Sequence, residues 1–336
     1  MKRIAILGAG SWGSALAAML GGKHYSVTLW DRDETLVGQI REFGHNPKYL
    51  PDVPLGDTVG ATHSLGEALA GVDWLILAVA SNGVRTVLSD AAAFLEPQTT
   101  LLSATKGLDA ETGMTMSELA ALLLADTAHA GLAVLSGPNL AKELLRGVPT
   151  ASVVASADPA VARGAQALLM TEQAFRVYTH SDVKGVELGG ALKNVLAIGA
   201  GLSDGLGFGD NTKAALMTRG LMEMTQLGVA AGGQALTFLG LSGVGDLIAT
   251  AGSRLSRNYR VGLGLAQGQS VAQILGDLHQ AAEGVPTAEA VQRLVHRYGV
   301  QAPVFTAIYD VLQGSLAPSD AVYTLMQRAA RDEFAL

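Results

Sequence analysis

The chain opens, at residues 3–13, with the stretch Arg3-Ile4-Ala5-Ile6-Leu7-Gly8-Ala9-Gly10-Ser11-Trp12-Gly13, and a helix-like segment follows at residues 14–20. The apolar residues before the glycines predict a buried strand. In a G-x-G-x-x-G motif, Gly8 permits a tight turn, Gly10 lets a pyrophosphate approach the backbone, and Gly13 lets the helix pack close to the strand. The free N–H groups at the helix start would then face an anion.

The residues that follow favour a dinucleotide over a merely structural turn. A second apolar strand, residues 26–30, ends at Asp31-Arg32-Asp33, and Asp31 lies eighteen positions after Gly13. This spacing is close to the roughly 20 residues expected for the side chain that reads the adenosine ribose. A signal peptide is the competing interpretation, but glycines interrupt the apolar run and a second strand continues it, so we expect none.

Composition excludes several classes of protein. The 336 residues are enough for two domains, and apolar stretches such as 119–125 and 195–202 are shorter than the roughly 18 residues of a membrane span. The net charge of −7 and the lack of a Lys/Arg block argue against nucleic-acid binding. Without cysteine there is no disulfide or thiol chemistry, and the seven histidines lack metal-site spacing, so we expect no metal. We expect a protein of the cytoplasm that does not span a membrane, and the low charged fraction of 16% suggests apolar surface buried between subunits.

Further strands follow the opening unit. Apolar runs at residues 74–79, 100–104 and 132–136 lack alternation, as parallel strands covered on both faces do, and the runs at 151–155 and 174–178 extend the sheet. Ligands collect beyond the carboxyl ends of such strands. The residues there are Ala80-Ser81-Asn82, Thr105-Lys106-Gly107 and Gly137-Pro138-Asn139.

The pattern changes near Ser181, where strand signals stop and helical ones begin. The sequence therefore predicts an α/β fold, with an N-terminal Rossmann-like, doubly wound, mostly parallel sheet at residues 1–180 and a C-terminal all-α domain at residues 181–336. The predicted helices of the second domain are 182–202, 212–230, 259–267, 271–276, 287–298 and 303–312.

Lys193 is the first candidate catalytic residue. It lies in a segment, residues 185–198, that is otherwise almost wholly apolar or small, with Gly189 and Gly190 one turn before it. A lysine there either extends to the surface or pairs with a structural acid, or it acts as a general acid/base. Partial desolvation would lower its pKa from about 10.4 and let it donate a proton to a carbonyl oxygen as a hydride arrives.

Other polar residues can surround the same ligand. Lys106, just beyond a strand end, is either structural or polarises a substrate oxygen. Asp246, in Gly243-Val244-Gly245-Asp246-Leu247, is either a helix cap or the partner of Lys193. Ser256-Arg257-Asn258 offers a hydroxyl, a guanidinium and an amide, which suits a phosphate, although an ordinary loop has the same composition.

The chain resembles the NAD(P)-dependent glycerol-3-phosphate dehydrogenases of the bacterial type. The resemblance runs through nearly the whole length, because several long motifs occur in the right order. Besides the opening glycine motif, they are Ser103-Ala104-Thr105-Lys106-Gly107-Leu108, Ser136-Gly137-Pro138-Asn139-Leu140-Ala141-Lys142-Glu143, Val186-Glu187-Leu188-Gly189-Gly190-Ala191-Leu192-Lys193-Asn194, Gly209-Asp210-Asn211-Thr212-Lys213-Ala214-Ala215-Leu216, Gly243-Val244-Gly245-Asp246-Leu247, Ser256-Arg257-Asn258 and Ala282-Glu283-Gly284-Val285.

This resemblance implies the reduction of dihydroxyacetone phosphate to sn-glycerol 3-phosphate by NADH or NADPH, which supplies phospholipid synthesis, and a homodimer. The implied catalytic residues are Lys193, Lys106 and Asp246. The implied cofactor contacts are Gly8, Gly10, Ser11, Trp12, Gly13, Arg32, Lys106, Ala141, Arg257, Ala281 and Glu283. The implied substrate contacts are Lys106, Gly137, Asn139, Lys193, Asp246, Ser256, Arg257 and Asn258.

Two positions depart from the family pattern. Ala80 stands where a proline is expected before Ser81, so the turn loses a preset φ angle, and Asn139 stands where serine or threonine is usual. Cofactor choice is also open, because Asp31 would repel a 2′-phosphate and Arg32 would attract it. We expect both nicotinamide cofactors to be used.

Two other functions compete. A β-hydroxyacid dehydrogenase of the 6-phosphogluconate kind also joins a nucleotide domain to a helical domain through a catalytic lysine. A redox sensor that only binds NAD(H) needs no lysine in a substrate cleft, and a nucleotide-binding fold does not fix function by itself.

Overall fold

The computed structural model describes residues 1–278, 280–327 and 333. Its N-terminal part alternates strands with helices. The strands are β1 (Arg3–Leu7), β2 (Ser26–Trp30), β3 (His45–Asn46), β4 (Leu50–Pro54), β5 (Val59–Thr62), β6 (Trp74–Leu77), β7 (Thr100–Ser103), β8 (Gly131–Ser136), β9 (Thr150–Ala155) and β10 (Phe175–His180). The helices between them are α1 (Ser11–Gly22), α2 (Glu34–Phe43), α3 (Leu65–Leu69), α4 (Ser81–Ala92), α5 (Met116–Leu123), α6 (Ala141–Leu145) and α7 (Pro159–Leu169).

Eight of these strands form one sheet in the order β10-β9-β8-β7-β6-β1-β2-β5. All neighbours in it are parallel except β8 and β9, which run antiparallel. Strand β1 lies between β2 and β6, with Leu7 opposite both Trp30 and Leu77. The carboxyl ends of β1, β6, β7 and β8 therefore reach the same edge, where ligands bind in such folds.

The sheet is covered on both faces. Ile4 and Ile6 pack into one apolar cluster with α1, whereas Ala5 and Leu7 pack into another on the opposite face. Burial of both faces explains why these strands carry continuous apolar runs rather than alternation. The short hairpin β3–β4 stands outside this sheet and follows α2.

The C-terminal part is helical. It contains α8 (Val183–Gly205), α9 (Asp210–Ala230), α10 (Ala235–Phe238), a π-helical turn (Leu241–Gly245), α11 (Asp246–Ala251), α12 (Arg257–Ala266), α13 (Val271–Leu278), α14 (Gly284–Tyr298), α15 (Pro303–Leu312) and α16 (Pro318–Met326). Helix α8 is buried over almost all its length, because α9, α11, α12 and α14 pack around it. Among the helices of the described chain, none combines the length and the apolar character needed to cross a membrane.

The predicted fold class is confirmed. The strands expected after the opening unit, the change to helices after Ser181 and the helix at residues 303–312 all occur. The local sequence pattern does not predict the β3–β4 hairpin, β5, the π-helical turn or α16. These elements are short or carry no long apolar period, so local pattern gave little signal.

Candidate active site

The glycine loop between β1 and α1 has the shape that a pyrophosphate needs. Gly8 adopts φ +113°, and a Cβ there would lie 2.8 Å from backbone atoms of Ala78. A Cβ at Gly13 would overlap the carbonyl oxygen of Gly8. At Gly10, the N-cap of α1, no side chain of the described residues caps the helix. The first N–H groups of α1 are thus open to an anion, so this loop fits a dinucleotide.

Other expected cofactor residues surround this loop. The hydroxyl of Ser11 donates to Oε1 of Gln280 at 3.4 Å, which brings the segment of Ala281 beside the glycine loop. Ala141 begins α6, which packs against α1. The carboxylate of Glu283 accepts hydrogen bonds from the Ser81 N–H at 3.0 Å and from the Ser81 hydroxyl at 2.5 Å. Both domains therefore contribute to one cleft.

Of the two residues that follow β2, Asp31 is hydrogen-bonded within the protein and Arg32 is not. Asp31 accepts the N–H of Ala9 at 2.9 Å on Oδ2 and the N–H of Asp33 at 3.0 Å on Oδ1. Arg32 is exposed and makes no hydrogen bond or ion pair with the rest of the described chain. Arg32 is thus available to a cofactor, whereas Asp31 already holds the glycine loop.

One carboxylate joins the two candidate lysines. Oδ1 of Asp246 lies 2.9 Å from Nζ of Lys193, and Oδ2 lies 2.9 Å from Nζ of Lys106. Lys193 also donates to the Thr250 hydroxyl at 2.6 Å, and Lys106 donates to the Gly137 carbonyl at 2.7 Å. Asp246 therefore pairs with Lys193, which was one of the two alternatives for it, and it brings the two lysines together.

Burial and charge shift the ionisation of this cluster. Burial, together with the nearby charges of Lys106 and Arg257, lowers the pKa of Lys193 to about 8, although Asp246 opposes this shift. Burial alone would raise the pKa of Asp246, but its contacts with the two lysines outweigh that effect and hold it below the ordinary value. Lys193 therefore has a proton that it can give and take near neutral pH.

Close packing of α8 positions these groups. A Cβ at Gly189 would lie 2.9 Å from the carbonyl oxygen of Ser242, so only glycine lets the π-helical turn approach α8 this closely. Asp246 begins α11 immediately after that turn, and Lys193 lies one turn after Gly189. The room beside Gly189 is thus filled by protein backbone, whereas a Cβ at Gly190 would meet the side chain of Ser136. The approach of the π-helical turn to Gly189 brings Asp246 to Lys193.

The triplet expected at a phosphate has three different roles. Ser256 caps α12, since its hydroxyl accepts the Tyr259 N–H at 3.2 Å. The buried Asn258 donates to Oδ1 of Asn194 at 2.8 Å and accepts the Gly284 N–H at 2.9 Å. Arg257 has no hydrogen bond or ion pair among the residues that the structure describes, although the charge of Glu283 acts on its guanidinium, so its N–H groups remain open to an anion.

Both departures from the family pattern keep a usable geometry. Ala80 adopts φ −61°, the angle that proline would fix, so the turn before α4 is retained. Asn139 accepts the ammonium of Lys106 at 2.6 Å through Oδ1 and donates to the Ser152 hydroxyl at 3.2 Å. The amide thus positions Lys106 and still has one N–H to offer.

Sequence reasoning missed two residues of this site. Thr250 lies one helical turn after Asp246, and Asn194 follows Lys193 directly and donates to the Lys106 carbonyl at 3.1 Å. Their polarity inside buried helices was the available signal. No group of three or more metal-ligating side chains occurs among residues 1–278, 280–327 and 333.

Comparison with known proteins gives one family for both domains. Residues 3–162 match the family described as NAD-dependent glycerol-3-phosphate dehydrogenase N-terminus, and residues 182–323 match its C-terminus. The chain is 47% identical to a glycerol-3-phosphate dehydrogenase (NAD(P)+) of Geobacter sulfurreducens over 332 residues, which cover 99% of each chain. It is 46% identical to the protein of that name from Anaeromyxobacter dehalogenans, over 98% of this chain and 99% of that one.

A solved structure agrees in fold as well as in sequence. The crystal structure of a glycerol-3-phosphate dehydrogenase from Coxiella burnetii superimposes with a TM-score of 0.93 at 37% identity, and covers 97% of this chain and 99% of that chain. The two-domain architecture, the open glycine loop and the Lys193–Asp246–Lys106 cluster thus lie in a chain that matches one family throughout. The chain belongs to the NAD(P)-dependent glycerol-3-phosphate dehydrogenase family.

Proposed function

We propose that the chain reduces dihydroxyacetone phosphate to sn-glycerol 3-phosphate with NAD(P)H, reversibly, through Lys193. The observation that carries this proposal is the Lys193–Asp246–Lys106 cluster, in which Lys193 and Asp246 are buried and Lys106 is partly exposed beside the carboxyl ends of β7 and β8. A ketone must gain a hydride at carbon and a proton at oxygen. The bound nicotinamide cofactor supplies the hydride.

Lys193 supplies the proton in this proposal. Its ammonium, with the pKa lowered to about 8, donates to the ketone oxygen as the carbinol forms, and the neutral amine is left behind. Asp246 orients the ammonium at 2.9 Å. Lys106, held by Asp246, Asn139 and the Gly137 carbonyl, offers a second positive charge that stabilises negative charge developing on the oxygen.

Arg257 is the anchor that we propose for the substrate phosphate. Its guanidinium makes no hydrogen bond or ion pair with another described residue, and it stands at the N-terminus of α12, where backbone N–H groups and the helix dipole favour an anion. Ser256 and Asn258 hold the backbone around it, and we propose that Gly137 and Asn139 contact the substrate beside Lys106, whose ammonium they accept.

The cofactor takes the cleft between the domains. We propose that the pyrophosphate meets the α1 N-terminus at Gly8, Gly10, Ser11, Trp12 and Gly13. The remaining contacts that we propose are Arg32, Lys106, Ala141, Arg257, Ala281 and Glu283. We place the domain boundary between residues 180 and 181, where β10 has ended and α8 has not begun; residues 279, 328–332 and 334–336 of the second domain lie outside the described chain.

The test is an absorbance assay with dihydroxyacetone phosphate and each cofactor. We expect NADH and NADPH to be oxidised in a dihydroxyacetone phosphate-dependent manner. Activity on hydroxyacids without any on dihydroxyacetone phosphate would instead favour the β-hydroxyacid dehydrogenase. Lys193→Ala should abolish turnover and leave cofactor binding intact. Redox turnover that persists in this variant would refute the role of Lys193. A parent protein that binds NAD(H) but turns over neither substrate class would favour the redox sensor.

We propose that the protein is a homodimer in the cytoplasm. We also propose that its product, sn-glycerol 3-phosphate, supplies glycerophospholipid synthesis. The support for the dimer is a group of three exposed apolar side chains within residues 236–248 of the helical domain, where Leu236 is 79%, Leu239 59% and Ile248 69% exposed. Light scattering should give twice the chain mass for the parent protein. Ile248→Lys should weaken the dimer because it places a charge in the buried face, and a monomeric parent protein would contradict the assembly.

A further inference from the structure

Asn46 is fully buried, and every polar group of its amide is used. Its Nδ2 donates to the Ala9 carbonyl at 2.7 Å and to the Ser14 hydroxyl at 2.9 Å. Its Oδ1 accepts the backbone N–H groups of Lys48 at 3.2 Å and Tyr49 at 3.1 Å. Since backbone N–H groups can only donate, the orientation of this amide is fixed. Asn46 thus ties the β3–β4 hairpin to the glycine loop.

Ala9, the residue between Gly8 and Gly10, is held from two sides. Its N–H donates to Oδ2 of Asp31 at 2.9 Å, and its carbonyl accepts from Asn46 at 2.7 Å and, at the longer distance of 3.4 Å, from the Ser14 hydroxyl. In a planar trans peptide the C=O and the following N–H point in opposite directions. Because the Ala9 carbonyl faces the Asn46 amide and the Ser14 hydroxyl, the N–H of Gly10 must point away from both side chains. Within the described chain this N–H has no backbone or side-chain acceptor.

We propose that Asn46 is a positioning residue of the pyrophosphate site. It turns the Ala9–Gly10 peptide so that the Gly10 N–H faces the anion together with the first N–H groups of α1. Preorganised donors bind an anion more tightly, because no reorganisation is needed when it arrives. The proposal rests on the dinucleotide cofactor of the family, but not on the substrate.

The competing explanation is that Asn46 only folds its hairpin. Asn46→Ser separates the two roles, because a serine oxygen can still accept the N–H groups two and three residues on, as in an ST-turn, but is too short to reach the Ala9 carbonyl. Asn46→Asp likewise keeps an acceptor for the hairpin and places a carboxylate oxygen against that carbonyl.

The experiment measures the Kd of ADP-ribose and of NADH by fluorescence titration, with the steady-state constants alongside. We expect both Kd values to rise about tenfold in Asn46→Ser, the size of one lost buried hydrogen bond, and further in Asn46→Asp. At saturating NADH, kcat and the KM for dihydroxyacetone phosphate should stay within about twofold, since the substrate groups do not touch this loop. The matched controls Asn211→Ser and Asn211→Asp, at an exposed position of α9, should leave the Kd values unchanged.

ADP-ribose binding that stays within about twofold in Asn46→Ser would overturn the proposal, as would equal losses in cofactor affinity and in kcat. Should both Asn46 variants fail to fold, Ser14→Ala removes one acceptor of the Asn46 amide together with the 3.4 Å contact of the hydroxyl with the Ala9 carbonyl, and leaves the hairpin contacts intact. This variant should raise the ADP-ribose Kd by about two- to threefold, and no change in it would count against the proposal. ADP-ribose binding needs no turnover. The test of Asn46 therefore remains valid even if the protein does not reduce dihydroxyacetone phosphate.

Discussion

Burial and two neighbouring cations lower the pKa of Lys193, whereas one carboxylate raises it. Desolvation and the charges of Lys106 and Arg257 disfavour the ammonium, whereas Asp246 favours it. The cluster of two lysines and one aspartate carries one net positive charge in a buried place. An anionic substrate relieves that imbalance, so binding and proton donation draw on the same electrostatic arrangement.

The reaction rate should follow the ionisation of Lys193 in opposite senses for the two directions. Ketone reduction needs the ammonium, so its kcat/KM should fall as the pH rises through about 8, whereas alcohol oxidation needs the neutral amine and should rise through the same range. Both profiles are measured at constant ionic strength. Reduction that stays constant far above this pH would contradict the role of Lys193.

Thr250 provides a second test of the same cluster. Its hydroxyl accepts from Lys193 at 2.6 Å and donates to Asp246 at 3.0 Å. Thr250→Val removes an acceptor that favours the ammonium, so the pKa of Lys193 should fall further and the alkaline limb of reduction should move to lower pH. We also expect kcat to drop about tenfold. A variant with reduced kcat but an unmoved pH profile would mean that Thr250 serves packing alone.

Cofactor choice should depend on Arg32 rather than on Asp31. Asp31 is engaged by the N–H groups of Ala9 and Asp33, while the exposed guanidinium of Arg32 is free to meet a 2′-phosphate. Arg32→Ala should therefore weaken NADPH binding by about tenfold and NADH binding much less. Titration of both cofactors measures this difference, and equal losses would rule it out.

Among the elements, those with long apolar patterns could be predicted and those defined by tertiary contact could not. Helix α8 and the buried strands β6, β7 and β8 have such patterns, so their existence followed from the sequence. The π-helical turn depends on its approach to Gly189, and the β3–β4 hairpin depends on Asn46, so neither leaves a local period. Lys193 and Lys106 could be singled out as polar residues in apolar or strand-end contexts, whereas Thr250 and Asn46 acquire meaning only from their partners.

The C-terminus of helix α7 is capped by the side chain of a lysine that lies just after α1. The ammonium of Lys23, just after α1, donates to the carbonyls of Ala167 at 3.1 Å, Leu168 at 2.7 Å and Met170 at 2.8 Å. A cation there satisfies carbonyls that the helix leaves open and opposes the negative end of its dipole.

Lys23→Met keeps much of the side-chain volume and removes this cap. We expect the free energy of unfolding to fall by about 1.5–3 kcal/mol, the range for hydrogen bonds to a charged group. Urea unfolding measures the change, and Lys142→Met, at an exposed position of α6, is the matched control. Equal stability of the two variants would show that the cap contributes nothing.

Across the whole molecule, two carboxylates join the domains in the same way. Glu187 on α8 accepts the N–H of Ser117 at 2.9 Å and also binds its hydroxyl, at the N-terminus of α5. Glu283 does the same with Ser81 at the N-terminus of α4. Each carboxyl of the helical domain thus meets the positive end of a helix in the nucleotide domain. The two domains are therefore joined by two contacts of the same kind.

These contacts should make stability depend on pH. Burial raises the pKa of Glu187 in the folded chain, so its stabilising contribution is complete below the ordinary glutamate pKa and is lost as the pH rises through the raised value. Glu187→Gln keeps an acceptor for the Ser117 N–H and cannot ionise. The difference between its free energy of unfolding and that of the parent protein should therefore shift in favour of the variant as the pH increases from about 5 to 8. The shift is about 1.4 kcal/mol for each unit by which the pKa of Glu187 is raised. Denaturant unfolding across this range tests the trend, and the exposed Glu289→Gln, the control, should show no such trend. A stability difference between Glu187→Gln and the parent protein that does not change with pH would contradict the prediction. It would mean that Glu187 is ionised throughout this range and that the domains are joined by charge.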